Sequence, residues 1–280
     1  MPNIAFINGK WGPISSAKVS IEDRGFQFGD GVYEVIRTYG RAFFGLNEHL
    51  ARLQASAKAV EIEIPYGMDM LRKIIDLGCK KSNFKDTLIY VQLTRGAAPR
   101  GHAFPRKNRS TLVMTFRANK PLPGSMREEG VRVISTEDVR WGRCYVKSLN
   151  LLPNVMAREA AKRVGAFEGI FVRDGKVMEG AASNVFAVLG RKVVTPPKGP
   201  YILSGITREI VLHLGREQGF QMSEEKIILG DLYAADELFL TGTTVEVLPV
   251  IRVDDKPIGA ATPGKVTGAL YEAFQNHICK

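Results

Sequence analysis

The apolar and polar positions of the N-terminal part of the chain predict two hairpins followed by helices. Residues 4–11 turn at Asn8-Gly9, a dipeptide that favours a type I′ turn. Residues 32–44 form a second apolar stretch, which is interrupted by Gly40-Arg41. Asn47 can then cap a helix whose apolar side chains fall on one face. A second helix and two apolar strands are predicted within residues 71–78, 88–94 and 111–116.

The second half of the chain also mixes strands with helices. A hairpin is predicted over residues 167–188, with its turn at Asp174-Gly175 and a continuous second strand. Ser204 can cap a helix over residues 206–218. Residues 140–150 are predicted as a strand that runs into a turn.

Residues 120–124 are the best candidate for a domain boundary, because they contain two prolines and a glycine between apolar strands. Strands and helices do not alternate regularly on either side, which argues against a doubly wound parallel sheet. The pattern therefore predicts an α+β fold with two domains, residues 1–119 and residues 125–280. We expect the functional site to lie between them.

Length and composition are those of an ordinary globular protein. The 280 residues allow two medium domains, and the apolar and charged fractions of 45% and 24% are typical of soluble proteins. No apolar run reaches the ~20 residues of a membrane helix, and the N-terminus lacks the features of a signal peptide. Cys79, Cys144 and Cys279 lie far apart, which argues against disulfides and a metal site. We expect a cytoplasmic protein with neither a metal nor a membrane partner.

The net charge of +10 raises the alternative of a nucleic-acid-binding module. The basic residues are dispersed, however, and the densest run, residues 106–109, falls in a predicted loop. No strand alternates aromatic residues with cations, as single-strand binders do. A cationic field that attracts anionic small molecules is the more economical interpretation.

Lys147 and Glu179 have the most distinctive chemistry of the candidate residues. A lysine among apolar neighbours loses its charge readily, and its neutral amine can then attack a carbonyl group. A nearby carboxylate can keep the nitrogen of a heterocycle protonated, which turns a pyridine ring into an electron acceptor. This pairing is typical of pyridoxal phosphate enzymes. From spacing alone, a strand lysine and a hairpin glutamate remain the favoured interpretation.

Two short segments offer groups that could bind a phosphate. In the segment 204–207, a glycine precedes the helix whose first turn presents the backbone N–H groups of Ile206 and Thr207. The segment 241–244 follows a strand and combines threonine hydroxyls with a glycine. A capped helix and a plain turn are the default interpretations of such short segments.

Four segments resemble the signature blocks of the fold-type IV pyridoxal phosphate enzymes: residues 22–34, 140–152, 179–186 and 205–208. Within that group, the chain is most similar to the D-amino acid aminotransferases of bacteria. The similarity runs in order from about residue 3 to about residue 255, so it covers nearly the whole chain. It implies a two-domain α+β fold with a C-terminal pseudo-barrel, a homodimer, and pyridoxal 5′-phosphate as cofactor.

The resemblance also assigns roles to individual residues. Lys147 matches the lysine that holds the cofactor covalently, and Glu179 matches the carboxylate at the pyridine nitrogen. Arg140 matches a residue near that carboxylate, although it could equally be a plain strand cation. The phosphate cup maps onto four further residues, namely Arg52, Ile206, Thr207 and Thr243.

The substrate carboxylate is expected to meet Tyr33, Arg100 and His102. Residues 95–102 form a turn-rich loop, in which an arginine can present its planar fork to a carboxylate. Without the resemblance, His102 would be an ordinary loop histidine, whereas the family's matching residues bind the substrate α-carboxylate. The implied substrates are therefore D-amino acids, D-alanine above all, and 2-oxo acids such as 2-oxoglutarate. His49 lacks metal-ligand spacing and receives no role.

One departure and several alternatives remain. Where relatives commonly carry serine after the Glu-Gly pair, this chain has Ala181-Ala182, so that hydroxyls near cofactor or substrate are missing. A branched-chain L-amino acid aminotransferase and an aminodeoxychorismate lyase share the fold. The branched-chain enzymes lack the Arg-x-His loop, and the lyase eliminates instead of transferring.

Overall fold

The computed structural model describes residues 3–106 and 109–279, so the middle of the basic run at residues 106–109 lies outside the described residues. The chain divides into two compact units. The first comprises Met1–Lys120 and Val146–Asn150, and the second comprises Pro121–Tyr145 and Leu151–Lys280. The domain bounds derived from the sequence stay a prediction; these units differ from them mainly by grouping the segment that carries Lys147 with the N-terminal part.

A six-stranded antiparallel sheet forms the centre of the first unit, in the order β2-β1-β6-β5-β3-β4. Its strands are β1 (Ile4–Ile7), β2 (Lys10–Pro13), β3 (Gly31–Tyr39), β4 (Ala42–Phe44), β5 (Thr87–Thr94) and β6 (Thr111–Ala118). A 3₁₀ turn (Ile14–Ser16) and three helices complete the unit: α1 (Arg24–Phe28), α2 (Leu46–Ala59) and α3 (Met68–Ser82).

The core of the first unit forms where α2 and α3 bury one face of each helix together with apolar side chains of the sheet. Leu53 of α2 and Ile75 of α3 are fully buried with Ile36, Ile89 and Phe116 of the sheet. Burying a large aliphatic side chain contributes ~1.5–3 kcal/mol, so this cluster holds the strands in place. The strand β3, which carries the candidate residue Tyr33, therefore stands on a rigid support.

Both predicted N-terminal hairpins are confirmed. Asn8 and Gly9 have φ of 46° and 93°, and Gly40 and Arg41 have φ of 55° and 76°, as a two-residue turn of the type I′ class requires. The predicted helix cap at Asn47 is wrong. The chain enters α2 through Gly45 in a left-handed conformation, so the helix begins before Asn47.

A nine-stranded mixed sheet dominates the second unit. Its main path is β12-β11-β10-β13-β14-β7-β8-β9, with β15 paired to β14, and only the pairs β11–β12, β14–β7 and β7–β8 are parallel. The strands are β7 (Val131–Glu137), β8 (Glu168–Arg173), β9 (Lys176–Gly180), β10 (Asn184–Leu189), β11 (Lys192–Thr195), β12 (Gln221–Glu224), β13 (Glu237–Gly242), β14 (Glu246–Val253) and β15 (Lys256–Pro257). The helices are α4 (Ser125–Glu128), α5 (Leu152–Arg163), α6 (Ile206–Glu217), α7 (Leu229–Tyr233) and α8 (Lys265–Ile278). This mixture confirms the α+β class.

Three local predictions for the second half of the chain are wrong. Residues 140–150 contain no strand, because their backbone follows a loop whose Ser148 forms an isolated bridge to Val32 of β3. The predicted continuous strand after Asp174-Gly175 is broken at residues 181–183, where Gly180 N–H donates to the Ser183 carbonyl. Ser204 does not cap α6: the N-cap is Gly205, and the Ser204 hydroxyl donates to Glu209 instead.

Within residues 3–106 and 109–279, no helix is both long enough and apolar enough to cross a membrane.

Candidate functional site

Lys147 is held against β3 by its own backbone. Tyr33 N–H donates to the Lys147 carbonyl at 2.9 Å, and Lys147 N–H donates to the hydroxyl of Ser56 in α2 at 3.2 Å. The Lys147 side chain is half-buried, and its Nζ lies 4.5 Å from the centroid of the Tyr33 ring. The aromatic ring covers one side of the amine, so the structure brings Lys147 and Tyr33 together and limits where the amine can reach.

Arg52 is neither exposed nor alone, contrary to what its position on a helix suggests. Its Nε and Nη2 donate to Glu34 of β3 at 2.7 and 2.9 Å, and His49 Nδ1 lies 2.8 Å from the same carboxylate. Burial opposes the charge of Glu34, but Arg52 and His49 outweigh it and hold the pKa of Glu34 at about 2. The guanidinium of Arg52 is therefore fixed by an ionised partner.

Glu34 and His49 are functional candidates that the sequence did not reveal. Both are completely buried, and His49 Nε2 has no hydrogen-bond partner among the described residues. His49 and Arg52 lie three residues apart on one face of α2, but this spacing does not distinguish them from any other polar pair of a helix and does not point to Glu34 on β3. Tyr90 was also missed: its ring lies 5.7 Å from that of Tyr33, and burial raises the pKa of its phenol to about 12.

Arg100 and His102 lie in an irregular loop of the first unit, as predicted, and both are exposed. Both side chains contact the ring of Phe28 in α1. The guanidinium carbon of Arg100 lies 4.5 Å from its centroid, and the His102 ring lies 5.6 Å from it. Two cationic or polar side chains thus converge on one aromatic surface, an arrangement that suits an anionic ligand.

Glu179 lies near the end of the short strand β9 of the second unit and is 6% exposed. Its Oε1 accepts from Arg140 Nη1 at 2.5 Å, and its Oε2 accepts from Asn184 Nδ2 at 3.2 Å and from Leu203 N–H at 2.9 Å. Three donors, one of them positively charged, favour the ionised carboxylate. Such a carboxylate can accept a further hydrogen bond from a protonated ring nitrogen.

Arg140 is in turn locked by neighbours on several sides. Its Nε donates to Asp138 at 2.8 Å, its Nη2 donates to the Tyr201 carbonyl at 3.0 Å, and its guanidinium lies 4.2 Å from the ring centroid of Phe171. Burial would lower the pKa of Arg140, but Asp138 and Glu179 raise it above its ordinary value. Arg140 is therefore a permanent cation against Glu179 and not a plain strand cation.

Asn184 lies beside Gly205 and Thr241, which are close in sequence to the predicted phosphate donors of the second unit. Gly205 precedes α6 and provides no side-chain cap, and a Cβ on it would lie 2.1 Å from Asn184 Oδ1, so only glycine fits there. Asn184 also pairs with Thr241 of β13, whose hydroxyl is buried without a partner among the described residues. Thr243 follows two residues later, in the turn after β13.

This donor set fits pyridoxal 5′-phosphate. The first turn of α6 presents the N–H groups of Ile206 and Thr207, which have no intrahelical acceptors, and an unpartnered buried hydroxyl lies on the neighbouring strand. Glu179 supplies an ionised acceptor for a ring nitrogen. Asn184 connects this carboxylate with the segment before α6, because its amide donates both to Glu179 and to the Leu203 carbonyl. The predicted residues Lys147, Tyr33, Arg52, Arg100 and His102 belong to the first unit.

Comparison with sequence families places the chain among known enzymes. The family model for class IV amino-transferases matches residues 31–253. A D-alanine aminotransferase from Bacillus licheniformis is 41% identical over 276 residues, covering 97% of this chain and 95% of that protein. A D-alanine aminotransferase from Staphylococcus epidermidis strain ATCC 12228 is 39% identical over 273 residues, covering 98% and 97%.

Solved structures of branched-chain amino acid aminotransferases have the same fold. The enzyme from Escherichia coli superposes with a TM-score of 0.92 at 27% identity, covering 99% of this chain and 94% of that one. The enzyme from the thermophilic archaeon Thermoproteus uzoniensis, solved with norvaline, superposes with a TM-score of 0.88 at 28% identity, covering 98% and 94%. The similarity to fold-type IV enzymes noted in the sequence is thereby confirmed.

Glu34 should make stability depend on acidity in a defined range. Its pKa lies near 2 in the folded protein and at 4.5 when unperturbed. Ionised Glu34 therefore contributes up to ~3 kcal/mol to the free energy of unfolding. This contribution is complete above pH 4.5 and is lost as the pH falls through 2. We expect Glu34→Gln to flatten the fall of the unfolding free energy between these pH values, as measured by urea titrations. Glu48→Gln, which removes an exposed carboxylate of α2, is the control for the loss of one charge. An unchanged slope in Glu34→Gln contradicts the assignment.

Proposed function

We propose a function from the premise that this chain belongs to the class IV aminotransferases: it transfers the amino group of a D-amino acid, D-alanine above all, to a 2-oxo acid such as 2-oxoglutarate. One observation carries the proposal. Proteins named D-alanine aminotransferase match nearly the whole chain at 37–41% identity, whereas the branched-chain enzymes match it at 27–28%. The Arg100-x-His102 loop supports the same choice.

Pyridoxal 5′-phosphate, when bound, supplies an aromatic ring that takes up the electron pair left behind when the Cα proton of the substrate is removed. Lys147 is the residue that moves this proton. Its Nζ, in the neutral form, would take the proton from the substrate Cα as a general base and, once protonated, would return it as a general acid. The hydrogen bonds of its backbone to Tyr33 and Ser56 fix the base on one side, so it serves one face only.

Glu179 and Arg140 act together at the other end of the ring. Glu179 accepts a hydrogen bond from the protonated ring nitrogen and stabilises its positive charge. Arg140 and Asn184 keep Glu179 ionised and oriented, since they hold its two oxygens. Glu179 would therefore remain an ionised acceptor for a protonated ring nitrogen.

The phosphate is bound by donors of several kinds. The N–H groups of Ile206 and Thr207 point along the axis of α6, at its positive end, and Thr207 and Thr243 add hydroxyls. Arg52 contributes the cation, with its guanidinium oriented by Glu34. These residues would hold the phosphate of the cofactor, and Glu179 would hold its ring nitrogen.

The stereochemistry follows from where the substrate carboxylate is bound. With the cofactor fixed at both ends, Lys147 reaches one face, and the carboxylate anchor decides which enantiomer presents its Cα proton there. We place the anchor on Tyr33, Arg100 and His102, an arrangement that favours D-amino acids. Ala181-Ala182 in place of the serines of relatives bears on the range of side chains that the enzyme accepts.

We also propose that the enzyme is a homodimer that acts in the cytoplasm. The first turns of α5 expose three large apolar side chains, Leu152 at 70%, Val155 at 60% and Met156 at 64%. Their spacing places them on one face, and a second copy of the chain is the partner that covers it. The cysteines, which are all free, agree with a reducing compartment.

The lysine assignment is tested by trapping the cofactor. We expect the purified protein to be yellow, and borohydride reduction to place the mass of the reduced cofactor on the peptide that contains Lys147. Lys147→Ala should lose this adduct, whereas Lys192→Ala, which removes an exposed lysine of β11, should keep it. An adduct on any other lysine would remove Lys147 from the mechanism.

The substrate assignment is tested by comparing enantiomers. We expect the half-reaction to be faster with D-alanine than with L-leucine or L-glutamate. Arg100→Ala should lower kcat/KM for D-alanine, because a charge-assisted contact with the carboxylate is lost. The expected loss of transition-state stabilisation is ~2–3 kcal/mol. A faster reaction with L-leucine rejects the proposal in favour of a branched-chain enzyme, and pyruvate release from aminodeoxychorismate identifies a lyase.

The dimer is tested by sedimentation equilibrium at micromolar concentration, where we expect twice the mass of the 30.9 kDa chain. Val155→Glu places a charge in the centre of the exposed face and should shift the protein towards the monomer. Lys73→Glu, which changes an exposed lysine of α3 and leaves α5 untouched, is the control. A monomeric wild-type protein excludes the dimer.

A further inference from the structure

The loop that carries Arg100 and His102 is clamped by a buried arginine outside the site. Arg24 of α1 is 4% exposed, and its guanidinium donates to three successive carbonyls of the loop. Its Nη1 bonds the Gly101 carbonyl at 2.5 Å, with the Ala103 carbonyl at 3.4 Å, and its Nη2 bonds the His102 carbonyl at 3.3 Å. The clamp therefore grips the backbone on both sides of His102.

Asp30 fixes the clamp to the rest of the unit. Its Oδ2 accepts from Nε of Arg24 and from Nε of Arg95, each at 2.8 Å. Burial opposes the charge of Asp30, but the two arginines lower the pKa of its carboxyl. Arg95 extends the connection to the end of α2, because its Nη1 and Nη2 donate to the carbonyls of Glu61 and Val60 at 2.8 and 2.7 Å.

Phe28 joins the clamp to the two candidate substrate residues. The guanidinium carbon of Arg24 lies 4.9 Å from the centroid of the Phe28 ring, which also contacts Arg100 and His102. The backbone around α1 allows little movement: a Cβ on Gly25 would lie 2.2 Å from Thr94, and Arg24 N–H donates to the Gly96 carbonyl at 2.9 Å. The Phe28 ring, the backbone of residues 101–103 and the end of β5 are thus connected through Arg24 and its neighbours.

We propose that Arg24, anchored by Asp30, is a positioning residue that holds Arg100 and His102 ready for the substrate carboxylate. This inference rests on the proposed function, in which these two side chains bind that carboxylate. Both are exposed and lie on a loop without regular secondary structure, so that ordering them at the moment of binding would cost affinity. Because Arg24 orders the loop when the protein folds, this loss of conformational entropy no longer accompanies substrate binding. Lysine cannot replace it, since a single ammonium cannot reach Asp30 and the loop carbonyls in the same plane.

The test compares Arg24→Lys with the wild type, both loaded with cofactor. We expect KM for D-alanine to rise about tenfold, while the maximal half-reaction rate and the visible spectrum of the bound cofactor stay within about twofold. The inhibition constant of propionate, a carboxylate without the amino group, should rise by the same factor as KM. Arg37→Lys is the matched control: Arg37 is also a buried arginine of the first unit, stacked on Tyr39 away from this loop, and its replacement should leave both constants unchanged.

A further variant shows whether Arg24 acts through Arg100 and His102. If it does, adding Arg24→Lys to the double variant Arg100→Ala/His102→Ala should raise KM no further than that double variant alone. Effects that multiply, or an unchanged KM and propionate constant in Arg24→Lys, overturn the inference. If Arg100→Ala itself leaves KM unchanged, the proposed carboxylate anchor fails, which is a different result. Should Arg24→Lys not fold, Asp30→Asn replaces it and must show the same pattern.

Discussion

The hydrogen bonds between β3 and residues 146–150 are the constraint on which the position of Lys147 depends. Tyr33 N–H donates to the Lys147 carbonyl, and Leu149 N–H donates to the Gly31 carbonyl at 3.0 Å. Successive side chains of a strand point to opposite faces, so Tyr33 lies beneath the lysine amine while Glu34 reaches α2 and orients Arg52. A shift of this pairing by one residue would exchange the two faces and separate lysine from tyrosine.

Buried carboxylates serve different ends according to their partners. Glu34 and Glu179 each accept a hydrogen bond from an arginine that is itself held in place by other contacts, which favours the ionised form of both carboxylates. Glu34 orients the guanidinium of Arg52, and Glu179 is held by Arg140. Such pairs cost desolvation, and breaking one leaves an uncompensated charge that costs ~3–5 kcal/mol. Glu168 differs: it accepts from the Ser183 hydroxyl and the Ala182 N–H, its arginine partner Arg158 is exposed with Nη1 at 3.4 Å, and burial raises its pKa. A closely bound and shielded arginine therefore distinguishes Glu34 and Glu179 from Glu168.

The sequence was informative where a local rule determines structure, and it failed where tertiary contacts override that rule. The Asn8-Gly9 turn needs two positive φ angles, which the dipeptide itself favours, so it could be predicted. The loop of residues 140–150 is apolar enough for a strand, yet β3 takes only its end as a partner. Glu34 and His49 could not be assigned, because a buried ion pair between a strand and a helix leaves no spacing signal. The motif residues of the site were found through resemblance, and their roles remain proposals.

The Ala181-Ala182 departure is best understood from what the turn at residues 181–183 still contains. Ala181 is buried with Ala157 and Phe171, and its carbonyl accepts from Asn154 Nδ2 at 2.8 Å, so it packs without needing a hydroxyl. The Ala182 N–H and the Ser183 hydroxyl bind Glu168, which keeps the turn in shape. Asn184, the residue that connects Glu179 with the start of α6, is preserved. The departure therefore leaves a methyl group at the buried position of Ala181 and at the exposed position of Ala182, and it leaves intact the contacts of Asn184 with Glu179 and with the Leu203 carbonyl.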